Sequence, residues 1–125
     1  MQNYPKARAV RGATTVESNT AENIDSATLE LLENILKLNN IEEDDIVSVI
    51  FTLSPDLNAD FPAKAARIHL GWDKTPMVCA SEVSVPGSLG KCIRVMITFY
   101  TTMSKDEIKH VYLGKAQTLR PDLAD

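Results

Sequence analysis

Cysteine is scarce in this chain: Cys79 and Cys92 are its only two. They lack the paired spacing of a zinc site and the density of a secreted disulfide scaffold, so both read as free thiols. Long apolar runs are missing as well. No stretch approaches the length of a membrane span, and Met1-Gln2-Asn3-Tyr4-Pro5-Lys6 lacks the apolar centre of a signal peptide, which makes the cytoplasm the expected location. Basic charge is also short, with a formal net charge of -4. Nucleic-acid phosphates demand a basic face, so nucleic acid is not an expected partner. Without an internal repeat, a low-complexity tract or a glycine-rich phosphate loop, nucleotide binding has no support either. At 125 residues, 44% hydrophobic and 24% charged, residues 1–125 are expected to form one globular domain with a core of its own. A separate cofactor domain does not fit.

What is present centres on Arg94. It lies inside the most apolar run of the chain, Cys92-Ile93-Arg94-Val95-Met96-Ile97-Thr98-Phe99-Tyr100. That run reads as a buried strand because it is β-branched and aromatic, of strand length, and bounded upstream by Pro86, Gly87 and Gly90. A lone guanidinium there is costly and cannot escape by losing its proton, so it should face an anion. One candidate is a structural ion pair with Glu82. The other arginines qualify that reading. Of five in all, Arg11 precedes Gly12, Arg67 lies on a short helix after Phe61-Pro62, and Arg120 precedes Pro121, whereas most of the eight lysines sit in polar stretches. Arginines held in semi-buried places suit a small carboxylated ligand, which a guanidinium fork grips with two parallel hydrogen bonds.

The elements alternate along the chain. Ala7 to Arg11 reads as a strand and Gly12-Ala13-Thr14-Thr15 as a turn leading out of it. After Ser18-Asn19-Thr20 a helix runs to about Leu38, with Ile24, Ala27, Leu31, Ile35 and Leu38 at helical spacing and Asn39-Asn40 stopping it. Ile46 to Leu53, apolar apart from Ser48 and Thr52, reads as a central strand. Pro62 opens a short helix that ends before Gly71, and Thr75 to Cys79 is a strand followed by the turn that holds Glu82. Ser104-Lys105-Asp106-Glu107 has capping-box form and starts a helix through Ile108, Val111 and Tyr112. The order β-α-β-α-β-β-α-β implies an α+β fold with α/β-type layers, a mixed sheet carrying its helices on one side.

At this resolution the chain resembles the monofunctional chorismate mutases of the trimeric α/β class found in Bacillus-like bacteria. The matching segments are Arg11-Gly12-Ala13-Thr14-Thr15-Val16, Ser54-Pro55-Asp56-Leu57 with Phe61-Pro62-Ala63-Lys64-Ala65, Gly71-Trp72, Lys91-Cys92-Ile93-Arg94-Val95-Met96, His110-Val111-Tyr112-Leu113 and Leu119-Arg120-Pro121-Asp122-Leu123, in order across nearly the whole chain. The resemblance implies a pseudo-α/β-barrel homotrimer with active sites between subunits, converting chorismate to prephenate without cofactor or metal. It implies further that Arg94 meets the ether oxygen, that Arg11 reaches a carboxylate and the ether region, and that Tyr112 offers its hydroxyl to a carboxylate. Glu82 and Cys79 would bind the ring hydroxyl, with Val78 beside them. Phe61, Ala63, Lys64 and Arg67 would come from the neighbouring subunit, and Leu119 and Arg120 would stand at the mouth.

The chemistry fits the residue types. A Claisen rearrangement of a dicarboxylate breaks a C–O bond and makes a C–C bond in one step, with no proton to move and no nucleophile. Such a catalyst must hold a compact conformer and stabilise separating charge. Plainer readings stand beside each assignment: Glu82 as an exposed turn carboxylate, Cys79 as a small buried hydrophobe, Tyr112 as a core aromatic, and Lys64 and Arg67 as exposed helix faces. His69 and His110 read as structural or surface residues, since the reaction needs no acid or base. Two rival functions share these features. One is an imine deaminase of the Rid family, which also uses an interfacial arginine; the other is a non-enzymatic regulatory subunit, against which intact Arg94 and Glu82 argue.

Overall fold

The computed structural model describes residues 4–122. Residues 1–3, where the stretch weighed as a signal peptide begins, and residues 123–125, with Leu123 of the last matching segment, lie outside the described residues. In chain order the elements are β1 (Lys6–Thr15), α1 (Ala21–Asn39), β2 (Ile46–Leu53), α2 (Ala63–Leu70), β3 (Met77–Ser81), β4 (Cys92–Thr101) and β5 (Val111–Tyr112), with short 3-10 turns at Glu43–Asp45, Lys105–Glu107 and Gly114–Thr118. The strands form one mixed sheet in the order β3-β2-β4-β1-β5. β4 runs antiparallel to β1 and β2, while the outer strands β3 and β5 pair in parallel.

Two-residue alternation along β4 sorts the molecule into a core side and an open side. Ile93, Val95, Ile97 and Phe99 are buried, and α1 and α2 cover that face through Leu31, Leu32, Ile35, Ala63 and Ala66. Arg94, Met96, Thr98 and Tyr100 lie on the other. Ile50, Val78, Met96 and Tyr100 remain exposed there, brought to one face by the pairings Ile50↔Met96 and Ile50↔Val78.

α1 starts where capping chemistry places it, with Thr20 Oγ1 accepting from the Asn23 N–H at 3.1 Å, and stops at Asn40 in the left-handed region, φ 51°. Its buried stripe is Ile24, Thr28, Leu31, Leu32 and Ile35. Leu38, expected on that stripe, is exposed, because Asn39, four residues after Ile35, takes the inward position of the last turn. α2 is tied to α1 by a 2.7 Å contact between His69 Nε2 and Asp25 Oδ2.

Two segments differ from the sequence expectation. Gly12-Ala13-Thr14-Thr15 is strand rather than turn, paired with Val95 through Cys92. The glycine serves contact, not chain reversal: a Cβ on Gly12 would lie 2.6 Å from Ile35 Cδ1 and 3.1 Å from Leu31 Cδ1, so α1 can press directly on β1. Further on, the Ser104–Glu107 capping box forms, but the turn ends at Glu107 and Val111–Tyr112 become a strand beside β1. Asn39 explains the stop. Its buried amide donates to Lys109 O at 2.9 Å and accepts from Lys109 N at 2.7 Å, taking both backbone groups that a continuing helix would use. β3 also begins at Met77 instead of Thr75, since Pro76 contributes only its carbonyl, which accepts from Val49 N.

Gly12→Ala should therefore destabilise the fold by about 1–3 kcal/mol through overpacking. Urea unfolding of the two proteins side by side measures this, and an unchanged midpoint would show that α1 is free to move away.

Candidate active site

A cleft of about 400 Å³ opens on the helix-free face of the sheet, over β1, β2, β4 and β5. Register builds it. Arg94 lies between Ala13 of β1 and Thr52 of β2, and Ala13 also pairs with Tyr112 of β5. Small Ala13 leaves the space into which the cleft sinks. Two pairs along, on the same face, Arg11 is opposite Met96. Arg11, Glu82, Arg94, Tyr112, Leu119 and Arg120 all line this cleft.

Arg94 is held close to, but not in hydrogen-bond contact with, a carboxylate. Its Nε lies 3.8 Å from Glu82 Oε2, and that same oxygen accepts from Thr52 Oγ1. Nε is buried and has no hydrogen-bond partner among the described residues. The ion pair weighed from the sequence is thus present as a charge contact and leaves a guanidinium donor unused. Cys92 occupies the same side of β4, two residues before Arg94, where burial pushes its thiol pKa up and keeps it neutral.

Arg120 stands at the rim, forked onto Asp122 through Nε at 3.1 Å and Nη2 at 2.8 Å. Tyr112 is buried, packed with Ala13, Cys92 and Ala116. Its ring therefore belongs to the core while its edge lines the cleft.

The remaining expected site residues lie elsewhere in the chain. Cys79 pairs with Phe51, whose side chain is in the core, so it faces the helix side and packs against the main cluster. Cys79 and Glu82 are three residues apart, and strand alternation puts them on opposite sides. Cys79, Phe61, Ala63 and Arg67 line a second cavity of about 320 Å³ where α2 begins. Lys64 flanks it, bound to Asp60 at 3.1 Å, and Val78 is exposed on the open face of β3.

One residue lining this cleft was not assigned a role from the sequence, and a second beside it was read only as structural or surface. Thr52 had a signal, being one of the polar interruptions in an otherwise apolar strand. His110 had none. Its Nδ1 accepts from the Arg11 backbone N–H at 2.9 Å, continuing the β1–β5 pairing by a side chain and fixing the backbone that carries Arg11. Burial, with the nearby Arg11 and Arg120 charges, lowers its pKa below the ordinary 6.5, in keeping with an acceptor that must stay unprotonated.

With this geometry established, comparison with known proteins is decisive. A family model described as chorismate mutase type I matches residues 7–123. Chorismate mutase AroH of Bacillus subtilis (strain 168) is 49% identical over 117 residues, covering 94% of this chain and 92% of that protein. The protein of the same name from Thermus thermophilus is 47% identical over 117 residues, covering 93% and 95%. Among solved structures, a chorismate mutase from Clostridium thermocellum matches with a TM-score of 0.87 and 52% identity over 89% of this chain and 98% of that one. The Rid reading is not favoured by these matches, and the chain belongs to the chorismate mutase type I family.

Proposed function

We propose that this protein is an isomerase that converts chorismate to prephenate, a step of aromatic amino-acid synthesis, as one domain over residues 1–125 working in the cytoplasm. The observation that carries the mechanism is the buried Arg94 Nε, unpartnered among the described residues and fixed on the central strand of the sheet. A donor held in place before the reaction costs no reorganisation when negative charge builds on the ether oxygen, which is why such preorganised electrostatics is usually the largest catalytic contribution. Arg11 and Arg120 supply positive charge for the carboxylates and Tyr112 a hydroxyl. Glu82, the only carboxylate among the described residues that line the cleft, balances positive character on the ring. Bringing the two ends of the substrate together in a compact conformer provides the rest.

The same reading makes the protein a homotrimer with interfacial sites. Support comes from the exposed apolar row Ile50, Val78, Met96 and Tyr100 on the open face, and from the division of the expected residues between two cavities of one chain. A neighbour bringing Phe61, Ala63, Lys64 and Arg67 to the Arg94 cleft, and with them Cys79 of the same cavity in place of a Cys79 beside Glu82 in one chain, would complete the enclosure and cover that row.

The first test is loss of chorismate absorbance with formation of prephenate by the purified protein. Arg94→Lys keeps the charge but has no Nε donor or planar fork, so turnover should fall by at least about 10²–10³-fold while the fold survives. Near-normal turnover in that variant would remove Arg94 from its role.

Sedimentation at micromolar concentration should show a trimer. An active monomer would refute the interfacial arrangement.

No proton is transferred, so activity should be level through neutral pH, where His110, with its lowered pKa, is already neutral. The sign for stability is the reverse of that for an ion-paired histidine. Because the folded state resists protonating His110, the unfolded chain takes up more protons as pH falls below about 6.5, and stability drops until the folded pKa is passed. Urea midpoints against pH, with His110→Asn as the control that flattens this slope, measure it; a bell-shaped activity profile centred on neutrality would contradict the reaction class.

A further inference from the structure

We infer that Thr52 is a positioning residue whose hydroxyl holds the Glu82 carboxylate off the Arg94 guanidinium, keeping Arg94 Nε available for the substrate. The inference rests on the reading of Arg94 and Glu82 given above and adds a third member to that pair. A carboxylate beside a guanidinium ordinarily closes onto it in a fork of two parallel hydrogen bonds. Here it does not. Glu82 Oε2 stops 3.8 Å from Arg94 Nε, too far for a hydrogen bond, and that oxygen is occupied by Thr52 Oγ1. The outcome is a buried Nε with no partner among the described residues.

The backbone forces this competition. Thr52 and Arg94 are direct partners across β2 and β4, so their side chains rise together on the open face. Glu82 is tied down next to them, its N–H donating to Leu53 O at 2.8 Å. The carboxylate therefore has two donors within reach, a neutral hydroxyl on one strand and a cation on the next. A β-branched residue in a strand has few rotamers, so the Thr52 hydroxyl is presented in a nearly fixed direction. Ile50, two residues earlier on the same face, shows that an aliphatic side chain would serve packing at this level. The hydroxyl is the part that packing does not require.

Were the hydroxyl deleted, Glu82 would close onto Arg94. The cleft would keep its shape and net charge, yet the buried Nε donor would be spent on an internal ion pair. Ground-state binding depends mainly on Arg11, Arg120 and Tyr112, so the loss should fall on the chemical step.

The test uses Thr52→Val, of the same shape without the hydroxyl, Thr52→Ser, Glu82→Gln, and the double variant of Thr52→Val with Glu82→Gln. Thr52→Val should lower kcat by about 10- to 100-fold, as expected for losing a hydrogen bond to a charged group, with KM little changed. Thr52→Ser should recover most of that loss. In the Glu82→Gln background, adding Thr52→Val should cost little further, because the hydroxyl acts through the carboxylate. The Arg94 Nε–H resonance in ¹⁵N-labelled protein should shift in Thr52→Val as the pair closes. Independent, multiplicative losses in the double variant would overturn the inference, as would Thr52→Ser as slow as Thr52→Val or an unmoved Nε resonance. Full turnover in Glu82→Gln alone would instead remove the underlying role of Glu82, and the inference with it, while leaving the Arg94→Lys result intact.

Discussion

The alternation of β4 is the constraint on which everything else rests. A strand has only two faces, and the central position of β4 in the sheet means that one face must be covered by helices. Ile93, Val95, Ile97 and Phe99 meet that demand, each fully buried side chain being worth roughly 1.5–3 kcal/mol against exposure. Arg94 is consequently directed to the opposite side. A shift of register by one residue would drive the guanidinium into the core and expose the aliphatic row, so the same packing that stabilises the domain also aims its principal cation. Folding and placement of the reactive group are here one event.

Supporting contacts around the cleft follow a common pattern in which side chains complete what the backbone ladder leaves open. His110 accepts the Arg11 N–H, Asn39 takes both backbone groups of Lys109, and Ser54 Oγ accepts from Cys92 N at 2.9 Å. Asp56 adds Lys91 N, at 2.9 Å and 3.0 Å from its two oxygens, and so holds Lys91 at a φ of 48°, unusual for a residue with a side chain. Its hydrogen bond from Ser54, first, and those from Lys91 lower its own pKa. β4 thus enters the sheet from a fastened point just two residues before Arg94.

Much of this was readable in the sequence because it depends on local rules. The helix over Ala21–Asn39 announced itself by Thr20, a periodic apolar stripe and a terminal Asn pair, and the Arg94 strand by composition and length. What failed did so where tertiary contact overrode local signal. Gly12 looked like a turn because glycine is a turn residue, but its role is the close passage of Ile35 and Leu31, which only the folded chain reveals. Ile108, Val111 and Tyr112 have helical spacing, yet the buried amide of Asn39, far back in the chain, captures Lys109 and lays the segment out as β5. At the site, Arg94, Glu82, Arg11 and Tyr112 line one cleft, an arrangement that the family resemblance implied and that composition alone did not. Cys79 does not join them within one chain, since a separation of three along extended backbone reverses the side.

β5 is only two residues long and forms the margin of the sheet. An open margin of free N–H and C=O groups is a template on which foreign strands can stack. Here the positions just before β5 have been spent: the amide of Asn39 occupies both groups of Lys109, and the imidazole of His110 fills the gap toward β1. At Lys109, just ahead of the margin, both backbone groups are therefore already taken, and an incoming strand finds nothing there on which to begin.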